Sequence, residues 1–279
     1  MPELPEVEVI CQGLQKHILG KTIEDIYCSG KQLRVPVDCQ GMQRELCGQQ
    51  ISSLTRRAKY LLLSMKNGAC LIIHLGMTGN VGIFKQGTAR KKHDHICWQF
   101  DDNQEMRLND TRRFGAVHLL PAKEAKRLKK DFFAATGPEP FARNCTASYL
   151  HKRAANRSQA VKSFIMDSRT IAGIGNIYAN ESLFRASIHP AKPVSSLTES
   201  EWRRLLTIIR KTLRHAIQCG GSTISDFVNA SGDGGYFQMN FQIYGKNGED
   251  CVVCKETIQK TVIGGRASFF CPACQREKD

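Results

Sequence analysis

Long hydrophobic runs are missing from this 279-residue chain. A membrane-spanning helix needs roughly 18 consecutive apolar residues, and runs such as Tyr60-Leu61-Leu62-Leu63 fall far short. There is no glycine period and no sustained heptad, which excludes collagen-like and coiled-coil architectures. The opening MPELPEVEVI carries Glu3, Glu6 and Glu8 where a secretory leader would have a basic start and an apolar core. The expected address is therefore the cytoplasm. Acidic residues are in short supply: 26 Asp and Glu stand against 40 Lys and Arg, a formal charge of +14. A solvated basic surface accounts for that excess, and so does a surface for a polyanion, nucleic acid above all. Hydrophobic residues make up 41% and charged residues 24%, which excludes global disorder and leaves one or two folded domains.

Cysteine, by contrast, is abundant, with twelve residues. Eight of them (Cys11, Cys28, Cys39, Cys47, Cys70, Cys97, Cys145 and Cys219) are scattered, and in a reducing compartment they read as free, mostly buried thiols. The other four are paired as Cys251/Cys254 and Cys271/Cys274, with sixteen residues between the pairs. Two such knuckles supply the four thiolates that a tetrahedral Zn²⁺ requires. Four protein ligands leave no open position, so the metal is expected to be structural. The segment between the knuckles alternates around Gly264-Gly265 and predicts a β-hairpin with Arg266 near its tip.

Apolar residues at three-to-four spacing predict a helix over 2–19, opened by Pro2 and Pro5 and closed at Gly20. Short strands follow at Ile23–Tyr27, Ile51–Leu54, Tyr60–Met65, Ala69–His74, Ile96–Phe100 and Val117–Leu120. Strands without interleaved helices predict a sandwich or barrel. Residues 121–160 are basic, with a helix expected over Ala122–Phe133 and a break at Thr136-Gly137-Pro138-Glu139-Pro140. The pattern is then helical from Ala147 to Gly220, including a helix opened by the capping box Thr198/Glu201. Residues 219–240 are rich in Gly, Ser, Asp and Asn, as a functional loop would be.

Several motifs stand in order along nearly the whole chain. They are MPELPEVE at 1–8, RRAKYLL at 56–62, HLGMTG at 74–79, NDTRRFG at 109–115, GIGNIYANESLF at 173–184, GGSTISDF at 220–227 and IYGKNG at 243–248, followed by the CxxC pair. In these the sequence resembles the bacterial formamidopyrimidine-DNA glycosylases, of the formamidopyrimidine-glycosylase/endonuclease VIII family. The resemblance implies a two-domain α+β fold: an N-terminal β-sandwich with flanking helices over 1–136, a linker at 137–147, a helix–two-turn–helix module over 148–240, and a β-hairpin zinc finger over 241–279. It implies one structural Zn²⁺, a monomer, damaged double-stranded DNA lying between the two halves, and excision of oxidised purines followed by strand cleavage.

The resemblance also assigns roles. Pro2, after removal of Met1, is the nucleophile; a helix-opening proline would look the same in isolation. Its chemistry is sound, because an α-amino group has a pKa of roughly 8 and is partly unprotonated at neutral pH. Glu3 is the general acid–base and Glu6 supports it, although a first-turn carboxylate also fits either position for dipole reasons alone. Lys59, expected to open a strand, joins the catalytic set. His74, Asn176, Tyr244 and Arg266 contact phosphates; His74 after an apolar run equally suits a core histidine. Met77, Arg112 and Phe114 fill the void left by an extruded base and meet the orphaned partner. The Gly220–Gln238 segment closes over the extruded lesion. Thr111 stands where the family often has Pro, which bears on loop stiffness. Two other readings stay open: an endonuclease VIII-like enzyme for oxidised pyrimidines, against which Leu4 argues, and a non-catalytic zinc-finger protein that binds damaged DNA.

Overall fold

The computed structural model describes residues 2–221 and 241–276. They form two compact units, one from residues 2–134 with Gly220 and Gly221, the other from 135–219 and 241–276.

The first unit runs α1 (Leu4–Ile18), β1 (Ile23–Cys28), α2 (Cys39–Leu46), β2 (Ile51–Arg57), β3 (Tyr60–Met65), β4 (Cys70–His74), β5 (Gly79–Lys85), β6 (Asp94–Phe100), β7 (Gln104–Asp110), β8 (Ala116–Leu120) and α3 (Ala125–Phe132). Its strands form two antiparallel four-stranded sheets, ordered β1-β6-β7-β5 and β2-β3-β4-β8. Alternate residues of both sheets meet in one core: Ile26, Ile96, Trp98 and Leu108 from the first, Leu61, Leu63, Leu71 and Ile73 from the second. Helix α1 adds Val7, Ile10, Leu14 and Ile18 to the same core, as its apolar spacing predicts. On the outer face of the second sheet, Leu62, Cys70 and Ile72 pack with Leu120 and Ala125, and Leu128, Phe132 and Phe133 lie against them. Burial on both faces explains why β3 and β4 read as continuous apolar runs and not as alternating ones.

Two strands and a helix escape the sequence pattern. Strand β7 buries Glu105 and Arg107, so charge stands where apolar residues would mark a strand. The Arg107 guanidinium pairs with Glu105 and Asp94 and donates to the carbonyls of Ala89 and Thr88. Strand β5 contains Gly79 and Gly82, and α2 has only eight residues. Lys59 lies in the two-residue turn between β2 and β3, beside Ala58 at φ +53°, and does not open the strand.

The expectation of eight free scattered thiols needs a correction. Cys28 at the end of β1 and Cys39 at the start of α2 form a disulfide. Ten residues lie between them, and the tertiary return of the chain brings them together. Cys11, Cys47, Cys70, Cys97, Cys145 and Cys219 are free. Burial raises the thiol pKa of Cys11 to about 12 and those of Cys97 and Cys145 to about 11, so these stay protonated.

The second unit holds α4 (Ala147–Ala154), α5 (Val161–Met166), α6 (Asn176–Arg185), α7 (Glu199–Gln218) and the hairpin β9 (Gln259–Ile263) and β10 (Arg266–Phe270). The Thr198/Glu201 capping box opens α7, as its spacing predicts. Of the Gly220–Gln238 segment only Gly220 and Gly221 are described; its assignment as a lesion cap lies outside the described residues.

Candidate nucleic-acid interface and metal centre

Helix α1 begins at the residues assigned to catalysis. Pro2 precedes Glu3, whose extended backbone makes it the N-cap. The Glu6 carboxylate accepts from the Glu3 N–H at 2.8 Å, satisfying a donor that the helix leaves orphaned. Both acids are buried, Glu3 at 2% and Glu6 at 3% exposure. Gly221 packs on this pair: a Cβ there would stand 3.2 Å from Glu6 Cγ, and its φ of +86° suits glycine alone. Further along α1, Glu8 accepts from Arg56 Nε at 2.6 Å and Gln15 Nε2 donates to the Leu54 carbonyl at 2.7 Å. These bonds tie the helix to β2, whose turn into β3 carries Lys59.

His74 ends β4, directly across from Tyr60 in the ladder, with ring centroids 4.8 Å apart. Lys59 and His74 therefore share one end of one sheet. Burial, then the nearby charges of Lys59, Arg34 and His118, lower the imidazole pKa to about 4. The Gly76 N–H donates to His74 Nδ1 at 3.1 Å, which leaves the ring proton on Nε2. His74 is thus a neutral donor at pH 7, able to bind a phosphate oxygen without a charge of its own.

Met77 and Phe114 are exposed, at 42% and 45%. Apolar side chains held out to solvent on tight turns do not serve the core. The β4–β5 turn carries Met77 and the β7–β8 turn carries Arg112 and Phe114, with the Arg112 guanidinium 4.7 Å from the Phe114 ring centre. The two turns touch backbone to backbone. A Cβ on Gly76 would fall 2.3 Å from the Phe114 carbonyl carbon, at a φ of +63°. The fully buried Asp110 carboxylate brackets them: Oδ1 accepts from Thr78 Oγ1 at 2.6 Å, and Oδ2 accepts from the Gly115 N–H at 2.7 Å. The Arg112 N–H donates in turn to Thr78 Oγ1 at 3.1 Å. Asp110 and Thr78 were not singled out in the sequence, although both lie inside its motifs.

In the second unit, α6 organises three of the assigned phosphate contacts. Asn176 is its first residue, after the N-cap Gly175, where backbone N–H groups favour anions. Asn180 Nδ2 donates to the Asn176 carbonyl at 2.7 Å, while Asn180 Oδ1 accepts from the Phe269 N–H at 2.8 Å on β10. Glu181, fully buried, accepts from the backbone N–H groups of Gln242, Ile243 and Tyr244, each at about 3.0 Å. Tyr244 packs edge-on against Phe269. Arg266 is exposed at the start of β10, after the Gly264-Gly265 turn. Helix α5 supports that hairpin: the buried Lys162 Nζ donates to the Ala267 carbonyl at 2.7 Å and to Ser268 Oγ at 2.6 Å. Asn180, Glu181 and Lys162 act through backbone carbonyls and N–H groups, so no residue-type pattern marks them.

The Sγ atoms of Cys251, Cys254, Cys271 and Cys274 all lie within 4.8 Å of one another. Neighbouring sulfurs stand 3.4 to 3.9 Å apart. Tetrahedral zinc with bonds of ~2.3 Å demands edges of about 3.8 Å. The donor set therefore fits one zinc ion with a closed shell.

Two outcomes follow. Gly76→Ala should destabilise the first unit by about 1–3 kcal/mol through displaced turns and leave the zinc content intact; unchanged thermal stability would contradict the bracketed-turn geometry. An NMR titration of the free protein should show His74 as the neutral Nε2–H tautomer down to about pH 4. Because its folded pKa lies below the unfolded value of about 6.5, the stability penalty appears as pH falls through 6.5 and is complete near 4. A midpoint near 6.5 would contradict it.

Residues 1–117 match the formamidopyrimidine-DNA glycosylase N-terminal domain, 136–228 its H2TH domain, and 248–276 a zinc finger found in FPG and IleRS. The last of these agrees with the four-sulfur geometry: the cysteines hold one structural zinc. The formamidopyrimidine-DNA glycosylase of Methylococcus capsulatus is 45% identical over 276 residues, and that of Idiomarina loihiensis 42% over 276 residues. Each alignment covers 99% of this chain and 100% of the relative. Among solved structures, a Lactococcus lactis FPG mutant in complex with a Fapy-dG-containing DNA is 33% identical, with a TM-score of 0.89 over 99% of this chain and 100% of that one. With three domains matched in order and relatives aligned end to end, the chain belongs to the formamidopyrimidine-DNA glycosylase family, DNA glycosylases of base excision repair.

Proposed function

We propose that this glycosylase is bifunctional: it excises oxidised purines and then cleaves the strand as an AP lyase, through a Schiff base on Pro2. The observation that carries the reading is the N-terminus of α1, where Pro2 stands beside the buried Glu3/Glu6 pair. With Met1 removed, Pro2 presents a secondary amine whose pKa of roughly 8 leaves part of it unprotonated at pH 7. Its nitrogen lone pair attacks C1′ of the damaged nucleotide, and Glu3 protonates the sugar ring oxygen as the base departs. The amine then gives up its N–H proton, the C1′–O4′ bond breaks with the ring oxygen leaving as a hydroxyl, and C1′ becomes the carbon of an iminium. A secondary amine has no second N–H to lose, so the cation persists and acidifies the C2′ hydrogen. Loss of that proton expels the 3′ phosphate, and a second elimination expels the 5′ phosphate.

In this reading Glu6 holds the Glu3 backbone. Lys59, His74, Asn176, Tyr244 and Arg266 bind the phosphates around the lesion. Met77 and Phe114 wedge into the emptied stack while Arg112 donates to the orphaned base. The Lactococcus lactis relative is solved with a Fapy-dG-containing DNA and also with an oxidised-pyrimidine-containing DNA, so the purine preference rests on the resemblance and on Leu4. The enzyme would act as a monomer in the cytoplasm, where its excess of cations gives it access to DNA.

Borohydride trapping on an abasic duplex should add the sugar mass to the N-terminal peptide beginning at Pro2. Pro2→Ala should cut trapping about tenfold or more. An adduct on another peptide, or undiminished trapping by the variant, would refute the nucleophile. An 8-oxoguanine·C duplex should be cleaved faster than a thymine-glycol duplex, and the reverse order would refute the substrate class.

A further inference from the structure

The Cys28–Cys39 disulfide closes a loop over residues 29–38, and that loop reaches the turns that carry Met77, Arg112 and Phe114 by two routes. The first is direct: the Arg34 N–H donates to the Gly115 carbonyl at 2.9 Å, one residue past Phe114. The second runs through a buried histidine. Ser29 Oγ lies 3.0 Å from His95 Nδ1, and His95 Nε2 lies 3.0 Å from the Asp110 carbonyl oxygen. A carbonyl oxygen only accepts, so Nε2 carries the proton of that bond. The Asp110 side chain then holds Thr78 and Gly115. His95 is 4% exposed.

The disulfide is itself approachable. A cavity of about 210 Å³ is lined by both cysteines together with Gly30, Lys31, Pro36 and His95. It admits a peroxide or a small thiol. Lys31 lines the same cavity, and the thiolate is the form that such chemistry uses. Cys11, Cys97 and Cys145 are instead deeply buried, and that burial keeps their thiols protonated.

We propose that Cys28 and Cys39 are a reversible oxidation site that sets the order of the DNA-wedging turns. A peroxide oxidises one thiolate to a sulfenic acid and is reduced to water. The second thiolate attacks that sulfur, the S–S bond forms, and a second water leaves. Per disulfide, two thiols and one peroxide give two waters. A dithiol reductant reverses the step by thiol–disulfide exchange. In the disulfide form both ends of the 29–38 loop are pinned, and Ser29 and Arg34 hold their partners in place. In the dithiol form the loop gains freedom and the turns lose that support. The effect on DNA rests on the wedge reading of Met77, Arg112 and Phe114; the coupling within the free protein does not.

The test uses the full zinc-loaded chain, treated with hydrogen peroxide or with a phosphine reductant, with zinc content measured after each treatment. Mass spectrometry should find the Cys28–Cys39 linkage after peroxide and free thiols after reduction. Amide exchange over residues 29–38 and 111–116 should be slower in the oxidised protein. Lesion-duplex affinity should be about fivefold higher. A Cys28→Ser/Cys39→Ser variant should bind equally after either treatment, at the level of the reduced protein. Failure of the linkage to form, or equal exchange at 111–116 in both states, would overturn the proposal. Slowed exchange with unchanged lesion affinity would uphold the switch and refute the wedge assignment instead.

Discussion

A buried carboxylate that accepts backbone N–H groups is the interaction on which the DNA-facing parts depend. Asp110 does this in the first unit and Glu181 in the second; each is fully buried. An ionised carboxylate has room for about four donors, and charge-assisted bonds are roughly twice as strong as neutral ones. Asp110 uses that capacity to join two turns, through Thr78 and Gly115. Glu181 uses it to fix three consecutive residues that end at Tyr244. In both cases the backbone is held beneath the side chains proposed to meet DNA, the exposed Met77 and Phe114 and the half-buried Tyr244. The same device appears at α1, where Glu6 holds the N–H of Glu3. Removing Glu181 takes the acceptor from three backbone N–H groups, and removing Asp110 takes it from the Gly115 N–H and the Thr78 hydroxyl, which costs more than one surface contact.

This use of acids also explains the charge. Glu3, Glu6, Asp94, Glu105, Asp110 and Glu181 are buried, whereas Arg107 and Lys162 are the buried Arg and Lys among the described residues. Burying more acids than bases leaves the solvent-facing charge more positive than the formal +14. A field of that sign attracts phosphates over several ångströms and weakens with salt. The neutral His74 adds a donor among these cations without adding to their repulsion.

The legible parts of the sequence were those where chemistry dictates spacing. Two CxxC knuckles must be close in sequence to share a metal, and Thr198/Glu201 must be three apart to cap a helix. The runs of β3 and β4 were legible because both faces of their sheet are buried. The Cys28–Cys39 pair was not, because its closeness depends on how α2 returns to β1. Strand β7 was hidden by charges that compensate each other inside the fold. The resemblance drew attention to Met77, Arg112, Phe114, Tyr244 and Arg266. It did not reach Asp110, Thr78, Asn180, Glu181 or Lys162, whose partners are mostly backbone atoms distant in sequence and leave no periodicity.

Buried carboxylates thus set the side chains proposed to contact DNA. The most direct measurement of this is the affinity of Asp110→Asn for a duplex with a stable abasic analogue, with Trp98 fluorescence as the check on folding. The amide keeps the shape and one acceptor but turns an NH₂ group toward Thr78 or Gly115. The account predicts a folded first unit and affinity reduced about tenfold or more. Wild-type affinity in the folded variant would contradict it.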